Sequence, residues 1–360
     1  MLRHLQKLDW VLIASALLLV AVGSASIYSS SLQDKDFFNF EKQIFFAAGG
    51  IILMFLLSFF DWRIFQSNSY LILIFYFICL LALSGLFLFA PVIRGVIGWY
   101  KIGFLSLDPI EFTKLVLIIL LAKYFSMRHV EMYRFRHVIF SGVYVFLPFI
   151  LIFMQPNLGS ALILLILWVG ILSISGIKLR HFIALLLCGI LVFSLGWFFF
   201  LKDYQKARIM SFLTPQGDPR GMNWNQTQAK IAIGSGGFIG QGFGKGSQTQ
   251  YGFLPEPQTD FIFSAIAEEF GLVGTAVMFA TFLILLWRVI KIAVNAQSNF
   301  PRLFAAGFAI IIFSQLFINI GMNLGILPVI GISLPFVSYG GSGLLTMFAG
   351  LGILQSIRVR

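Results

Sequence analysis

The sequence predicts an all-α, polytopic integral membrane protein with about ten transmembrane helices, each about 20 apolar residues long, and one large extracytoplasmic loop. Three observations predict it. Of the 360 residues 59% are hydrophobic and only 11% are charged, against about 25% charged in an ordinary soluble domain. Apolar runs of spanning length recur along the whole chain, with no Ser/Pro-rich linker between them. The basic residues fall in short clusters between those runs, so the formal charge of +11 reads as membrane topology. A nucleic-acid surface would gather its Lys and Arg on one stripe, and none is expected here.

The first run follows Arg3 and Lys7 and imitates a secretory leader, with Gly23-Ser24-Ala25 as a passable cleavage site. It continues to Ile27, however, and many spans follow, so it is expected to be a first transmembrane helix, Asp9 to Ser30. The next spans are Lys42 to Phe60, Tyr70 to Ala90, Pro109 to Phe125, Ile139 to Met154, Leu158 to Ser175 and Phe182 to Leu201. After the long loop come Phe261 to Ile292, Leu303 to Gly325 and Leu334 to Ile357. Cys79 and Cys188 lie inside apolar runs and are expected to be inert thiols, not a disulfide or a metal pair. No repeat of the kind that marks many transporters is visible.

Orientation follows from the cations. With the N-terminus in the cytoplasm, Arg3, Lys7, Arg63, Lys123, Arg128, Arg134, Arg136, Lys178, Arg180, Arg288, Lys291, Arg302, Arg358 and Arg360 all fall inside. The short outer loops keep Lys35, Lys42, Arg94 and Lys101. That asymmetry satisfies the positive-inside rule and places both termini in the cytoplasm. The chain is thus expected to be one membrane domain, residues 1–360, with 202–260 as its extracytoplasmic loop. Within the loop, Trp224 to Ile233 reads as a short helix, and Phe253 to Pro257 as a stiff turn. Between them, Gly234 to Gly246 reads as a turn whose backbone can approach a neighbour closely. That run is no phosphate loop, because Ile239 stands where the pattern ending at Lys245 needs Gly, and Gly246 replaces Ser or Thr.

His4, His129, His137 and His181 all fall at cytoplasmic edges, so acid–base work outside belongs to carboxylates or lysine. Glu111 and Lys114 are three apart and share a helical face. Ions inside a membrane helix cost about 2.5 to 3.5 kcal/mol each, so the pair is a packing tie, the wall of a functional cavity, or both. Asp260 ends the polar turn Pro257-Gln258-Thr259-Asp260 and reads either as a helix N-cap or as a general base at the membrane surface. Glu268 and Glu269 read as partners of loop backbone or of cations. Arg94, Trp99, Lys101, Lys202, Lys206 and Arg208 singly would anchor membrane lipid; several converging on one cavity would clamp a pyrophosphate.

Several motifs recur together: Tyr204-Gln205-Lys206-Ala207-Arg208, Gln228-Ala229-Lys230-Ile231-Ala232-Ile233-Gly234-Ser235-Gly236-Gly237, Phe253-Leu254-Pro255-Glu256-Pro257-Gln258-Thr259-Asp260, and Ala267-Glu268-Glu269. With Asp108-Pro109-Ile110-Glu111-Phe112-Thr113-Lys114, Gln155-Pro156-Asn157-Leu158-Gly159 and Leu334-Pro335-Phe336-Val337-Ser338-Tyr339-Gly340-Gly341-Ser342, they make the whole chain resemble the SEDS family. The approach Gln248-Thr249-Gln250 is similar to the elongation branch more than the division branch.

The resemblance implies a multi-pass enzyme of the bacterial cytoplasmic (inner) membrane. It would polymerise lipid II into glycan strands outside the cell, releasing undecaprenyl pyrophosphate, beside a class B penicillin-binding protein that crosslinks them. It places Asp260 at the catalytic position and adds Gln155 and Glu256 to the substrate-binding set. Gln258 stands where the family usually has His, and Asn157 where it usually has Asp. The implied transfer inverts the sugar carbon in one displacement and has a good leaving group. One base and a cationic clamp then suffice: Asp260 deprotonates the acceptor hydroxyl, Arg94, Lys114 and Arg208 hold the pyrophosphate, and Glu111 orients Lys114. No cofactor is required, with room left for a divalent cation. The rival readings are a flippase for lipid-linked precursors and a non-catalytic scaffold for the penicillin-binding protein.

Overall fold

The computed structural model describes residues 2–32, 35–92, 97–103, 105–128, 135–199, 206 and 224–360. Its long helices are α1 (Trp10–Ser30), α2 (Phe38–Phe59), α3 (Ser69–Phe89), α4 (Pro109–Ser126), α5 (Arg136–Met154), α6 (Leu158–Ile174) and α7 (Leu179–Phe199). After the loop helix α8 (Trp224–Gly236) come α9 (Ile262–Val294), α10 (Asn299–Leu324) and α11 (Gly341–Val359). Each predicted span has its helix. Eight are long and apolar enough to cross a membrane among the described residues, and α6 is a shorter apolar helix. The tenth, α4, is broken in hydropathy only by Glu111, Lys114 and Lys123. A short antiparallel hairpin, Tyr100–Ile102 with Leu105–Leu107, is the one departure from all-helical structure among the described residues. It has no period-two pattern long enough to be read in advance.

The centre of the bundle is α10 and α11, where 78% of the spanning window is buried, whereas none of the α7 window is. Around this centre α2 packs along α11, α9 on α1 and α10, and α4 between α3 and α10. Close helix contact in a membrane needs small residues, and Gly352 shows why: a Cβ there would lie 2.7 Å from the Met54 carbonyl oxygen of α2.

Helix α9 is interrupted at Gly271, whose φ of +63° and ψ of −159° only glycine adopts without strain. An interruption frees backbone groups that need partners where water is scarce. The glycine-rich turn supplies them: Gln241 and Gly242 donate to the Glu268 and Glu269 carbonyls at 2.9 and 3.0 Å, and Leu272 and Val273 donate to Gly237 and Phe238 at 3.0 and 3.1 Å. The expected close approach of that turn is thus realised against the break in α9.

The N-terminal helix Leu2–Lys7 packs on α11, and Arg360 pairs with Asp61 at 2.6 Å, so both termini lie at one end of the bundle. At that end Asp9 caps α1, accepting from Leu12 at 3.1 Å, and takes Arg288 of α9 at 2.5 Å and Arg358 of α11.

Candidate functional site

A cavity of about 580 Å³ opens at the other end. Its walls come from the hairpin (Trp99, Lys101, Ser106), the start of α4 (Asp108, Glu111, Lys114), the turn before α6 (Asn157), the turn before α9 (Glu256, Thr259, Asp260) and the segment Ile330 to Gly343. Six predicted site residues therefore meet in one space: Trp99, Lys101, Glu111, Lys114, Glu256 and Asp260. Arg94 and Arg208 lie outside the described residues. Gln155 is not brought there: it is fully buried, and its amide donates to the Leu83 carbonyl at 2.8 Å. It ties α5 to α3, a contact that a motif match between α5 and α6 could not disclose.

Asp260 is not the N-cap of α9. Phe261 holds that position and makes no side-chain capping bond. What fixes Asp260 is its backbone. Asn319 and Asn323, one turn apart on α10, donate their side-chain amides to the Asp260 carbonyl at 3.1 and 3.0 Å. Ser338 donates to the Thr259 carbonyl at 2.7 Å, and the Tyr339 N–H to the Gln258 carbonyl at 2.8 Å. Three successive carbonyls are thus held by α10 and the segment before α11. The carboxylate is half-buried and lies beside Gly331, where a Cβ would come within 3.4 Å of Oδ2. Glu256, between two prolines, takes a positive φ of +46°, a strained geometry that clusters at functional sites. Its carbonyl accepts from both Thr259 and Phe261 at 3.2 Å, closing the turn.

On the opposite wall Lys114 Nζ lies 2.6 Å from Glu111 Oε1, with the two side chains 3% and 12% exposed. Helix geometry supplies this pair, and its position in the wall makes it both a packing tie and part of the cavity. Asp108 caps α4 by accepting from the Ile110 N–H at 2.9 Å. Burial, and after it the nearby Glu111 carboxylate, push its carboxyl up to about 7. Asn157 caps α6, accepting from Ser160 at 3.2 Å, a task Asn and Asp do equally well. Gln258 ties the site to the first outer loop, accepting from Asn39 at 2.7 Å and donating to Ser31 at 3.2 Å. Glu268 stays out of the cavity: its carboxylate caps the short helix Ser247–Gln250, accepting from Gln248 at 2.6 Å and Thr249 at 3.0 Å. Among the described residues no three His, Cys, Asp or Glu side chains form a metal ligand set.

Sequence reasoning missed Asn319, Asn323 and Gln315. Gln315 lines the cavity, 3% exposed, with its Oε1 lacking a partner among the described residues. The available signal was a row of amides at i, i+4, i+8 along one face of an apolar span.

A family model described as cell cycle protein, FtsW/RodA/SpoVE, matches residues 5–360. Escherichia coli (strain K12) peptidoglycan glycosyltransferase MrdB is 36% identical over 352 residues, 97% of this chain and 93% of its own length. Stage V sporulation protein E of Bacillus subtilis (strain 168) is 34% identical over 364 residues, 97% and 96% of the two chains. Among solved structures, a chain from work on the coordination of polymerization and crosslinking by a peptidoglycan synthase complex superposes with a TM-score of 0.83 at 29% identity, covering 98% of this chain and 97% of that one. The rod shape determining protein RodA of Thermus thermophilus superposes with a TM-score of 0.72 at 28% identity and the same coverage.

Proposed function

The chain belongs to the FtsW/RodA/SpoVE family, and on that premise we propose that it is a peptidoglycan glycosyltransferase. It polymerises lipid II disaccharide units into glycan strands for cell elongation and shape, with loss of undecaprenyl pyrophosphate. The observation that carries this reading is the meeting of Asp260 with the Lys114–Glu111 pair in one cavity at the end of the bundle away from the termini.

The reaction moves one proton and one leaving group. The acceptor 4-hydroxyl gives its proton to the Asp260 carboxylate as its oxygen attacks the anomeric carbon of the donor. The bond from that carbon to the pyrophosphate oxygen breaks, and the pyrophosphate leaves with the electron pair. A glycosidase needs a second carboxyl to protonate its leaving group; pyrophosphate needs cations that meet its growing charge. Lys114 and Lys101 take that role in the described wall, with Arg94 and Arg208 proposed beside them. Glu111 holds Lys114 in place, while Trp99 and Glu256 flank the sugars. Because three backbone carbonyls before α9 are already bonded, the base is oriented before substrate arrives, which is where positioning contributes most.

The termini face the cytoplasm, and the cavity with loop 202–260 faces outward in the cytoplasmic membrane. Strands leaving the cavity go to a class B penicillin-binding protein as transpeptidase partner. Purified protein mixed with lipid II, with and without that partner, tests the activity: glycan strands are the expected product. Their absence in both mixtures would return the field to transport or scaffolding. Topology is tested by a Gln248→Cys variant lacking Cys79 and Cys188. It is expected to react with an impermeant maleimide added outside the cell; reaction from the cytoplasmic side alone would invert the assignment.

A further inference from the structure

A second large cavity, of about 630 Å³, lies at the end of the bundle that carries the termini. It is far more cationic than the first. Arg63, Arg288, Lys291, Arg358 and Arg360 line it, with Asp9 as the only carboxylate side chain among the lining residues. Asp9 is shared between Arg288 and Arg358, and Arg360 is paired with Asp61. Arg63 and Lys291 have no carboxylate partner among the described residues; Arg63 lies over the Trp62 ring, 5.9 Å from its centroid. With Asp61 included, the side chains of the cluster carry three more positive than negative charges among the described residues.

Two further features belong to the same cavity. Helix α10 starts there, at Ser298, with no side-chain cap and no acidic residue in its first turn. Its positive end is therefore left facing the cations. Apolar faces of Trp62, Ile292, Pro301 and Ile357 complete the wall, and Trp287, 70% exposed, stands on the lipid-facing side of α9 next to Arg288. Scattered cations would satisfy the positive-inside rule without gathering round one space.

We propose that this cavity binds the phosphate of an anionic phospholipid, the headgroup seated among Arg63, Lys291 and the Asp9-held arginines at the membrane surface. The chemistry recognised is a phosphate oxyanion, for which arginine's planar fork is suited. A lipid source is favoured because the cavity sits at helix ends, where headgroups lie, and basic pockets between transmembrane helices hold such headgroups. The site is separate from the proposed transfer centre and stands whether or not that centre polymerises lipid II.

The test uses the full chain in detergent, with phosphatidylglycerol or phosphatidylcholine in mixed micelles, or inorganic phosphate alone. Retained lipid is counted by native mass spectrometry and thermal stability is followed in parallel. The variant is Arg63→Gln with Lys291→Gln: both side chains are exposed and outside the Asp9 cluster, so folding is retained, checked by circular dichroism. Phosphatidylglycerol is expected to be retained in preference to phosphatidylcholine and to raise the melting temperature. At least about a tenfold loss of retention is expected in the double variant, equivalent to about 1.4 kcal/mol. Displacement of the lipid by millimolar inorganic phosphate would keep the oxyanion site but assign it to a soluble ligand. Equal retention by both proteins, or of both lipids, would overturn the proposal.

Discussion

A carboxylate that works as a base needs a fixed backbone, and the residues around Asp260 supply it by holding three successive carbonyls. The clamp is built from amides on a neighbouring helix, so truncating it should disturb catalysis through position. Asn319→Ala removes one of the two amide donors to the Asp260 carbonyl, leaving Asn323, and removes the donor to the Ile332 carbonyl at 2.7 Å. Loss of a buried hydrogen-bond partner costs about 1 to 3 kcal/mol. The expected outcome is a lower melting temperature and a fall in kcat for strand synthesis, with KM for lipid II little changed; an unchanged kcat would remove the clamp from the account. At this scale the sequence was partly legible. Asp260 stood out as a polar residue at the mouth of a span, and Glu111 with Lys114 stood out as an intramembrane pair. The amides of α10 did not, because a carbonyl 59 or 63 residues distant in the chain leaves no local trace. The place of Gln155 outside the cavity lining was hidden for the same reason: its amide donates to a backbone atom of another helix.

At the scale of elements, the spans were legible because length and hydropathy alone define them. The interruption of α9 was not. Glu268 and Glu269 mark the place without saying that the backbone turns there, and only the glycine turn meeting it from the loop reveals why the helix breaks at Gly271. A Cβ at Gly271 would lie 2.4 Å from the Gly240 nitrogen in a conformation closed to other residues. Gly271→Ala should therefore lower stability by about 1 to 3 kcal/mol from backbone strain alone, read as a drop in melting temperature in detergent. A drop no larger than that of Ala substituted at Gly189, where a Cβ meets open space, would contradict the kink argument. The cap of α4 makes a pH-dependent prediction. The Asp108 carboxyl is raised from 3.8 to about 7, so between those values the folded state holds a proton that the unfolded chain has released. Stability from this group is then greatest below pH 4 and declines as pH rises toward 7. Asp108→Asn, which can still cap the helix, should flatten that part of the melting-temperature profile. An identical profile in the variant would refute the assignment.

Across the whole molecule, the two ends of the bundle carry opposite chemistry. One end joins α1, α9 and α11 through Asp9, Arg288 and Arg358; the other gathers carboxylates and lysines from three separate segments around a cavity. Removing Asp9 leaves two arginines facing each other. Breaking a buried pair costs about 3 to 5 kcal/mol, and because Arg358 is 34% exposed the lower end is expected for Asp9→Ala, measured as thermal stability. That basic residues gather at the end carrying the termini was readable from their positions between the spans. Which outer residues share the cavity was not, since Trp99, Lys114 and Asp260 meet only after α4, α9 and α10 have packed.

The central claim is that Asp260 accepts the proton of the attacking sugar hydroxyl. It is tested most directly by single-turnover polymerisation of lipid II with wild type and Asp260→Asn, which keeps shape and backbone bonds but cannot take the proton. The predicted result is a rate lower by about 100- to 10,000-fold, the usual worth of a general base, with lipid II still bound. Strands formed by the variant at the wild-type rate would contradict it.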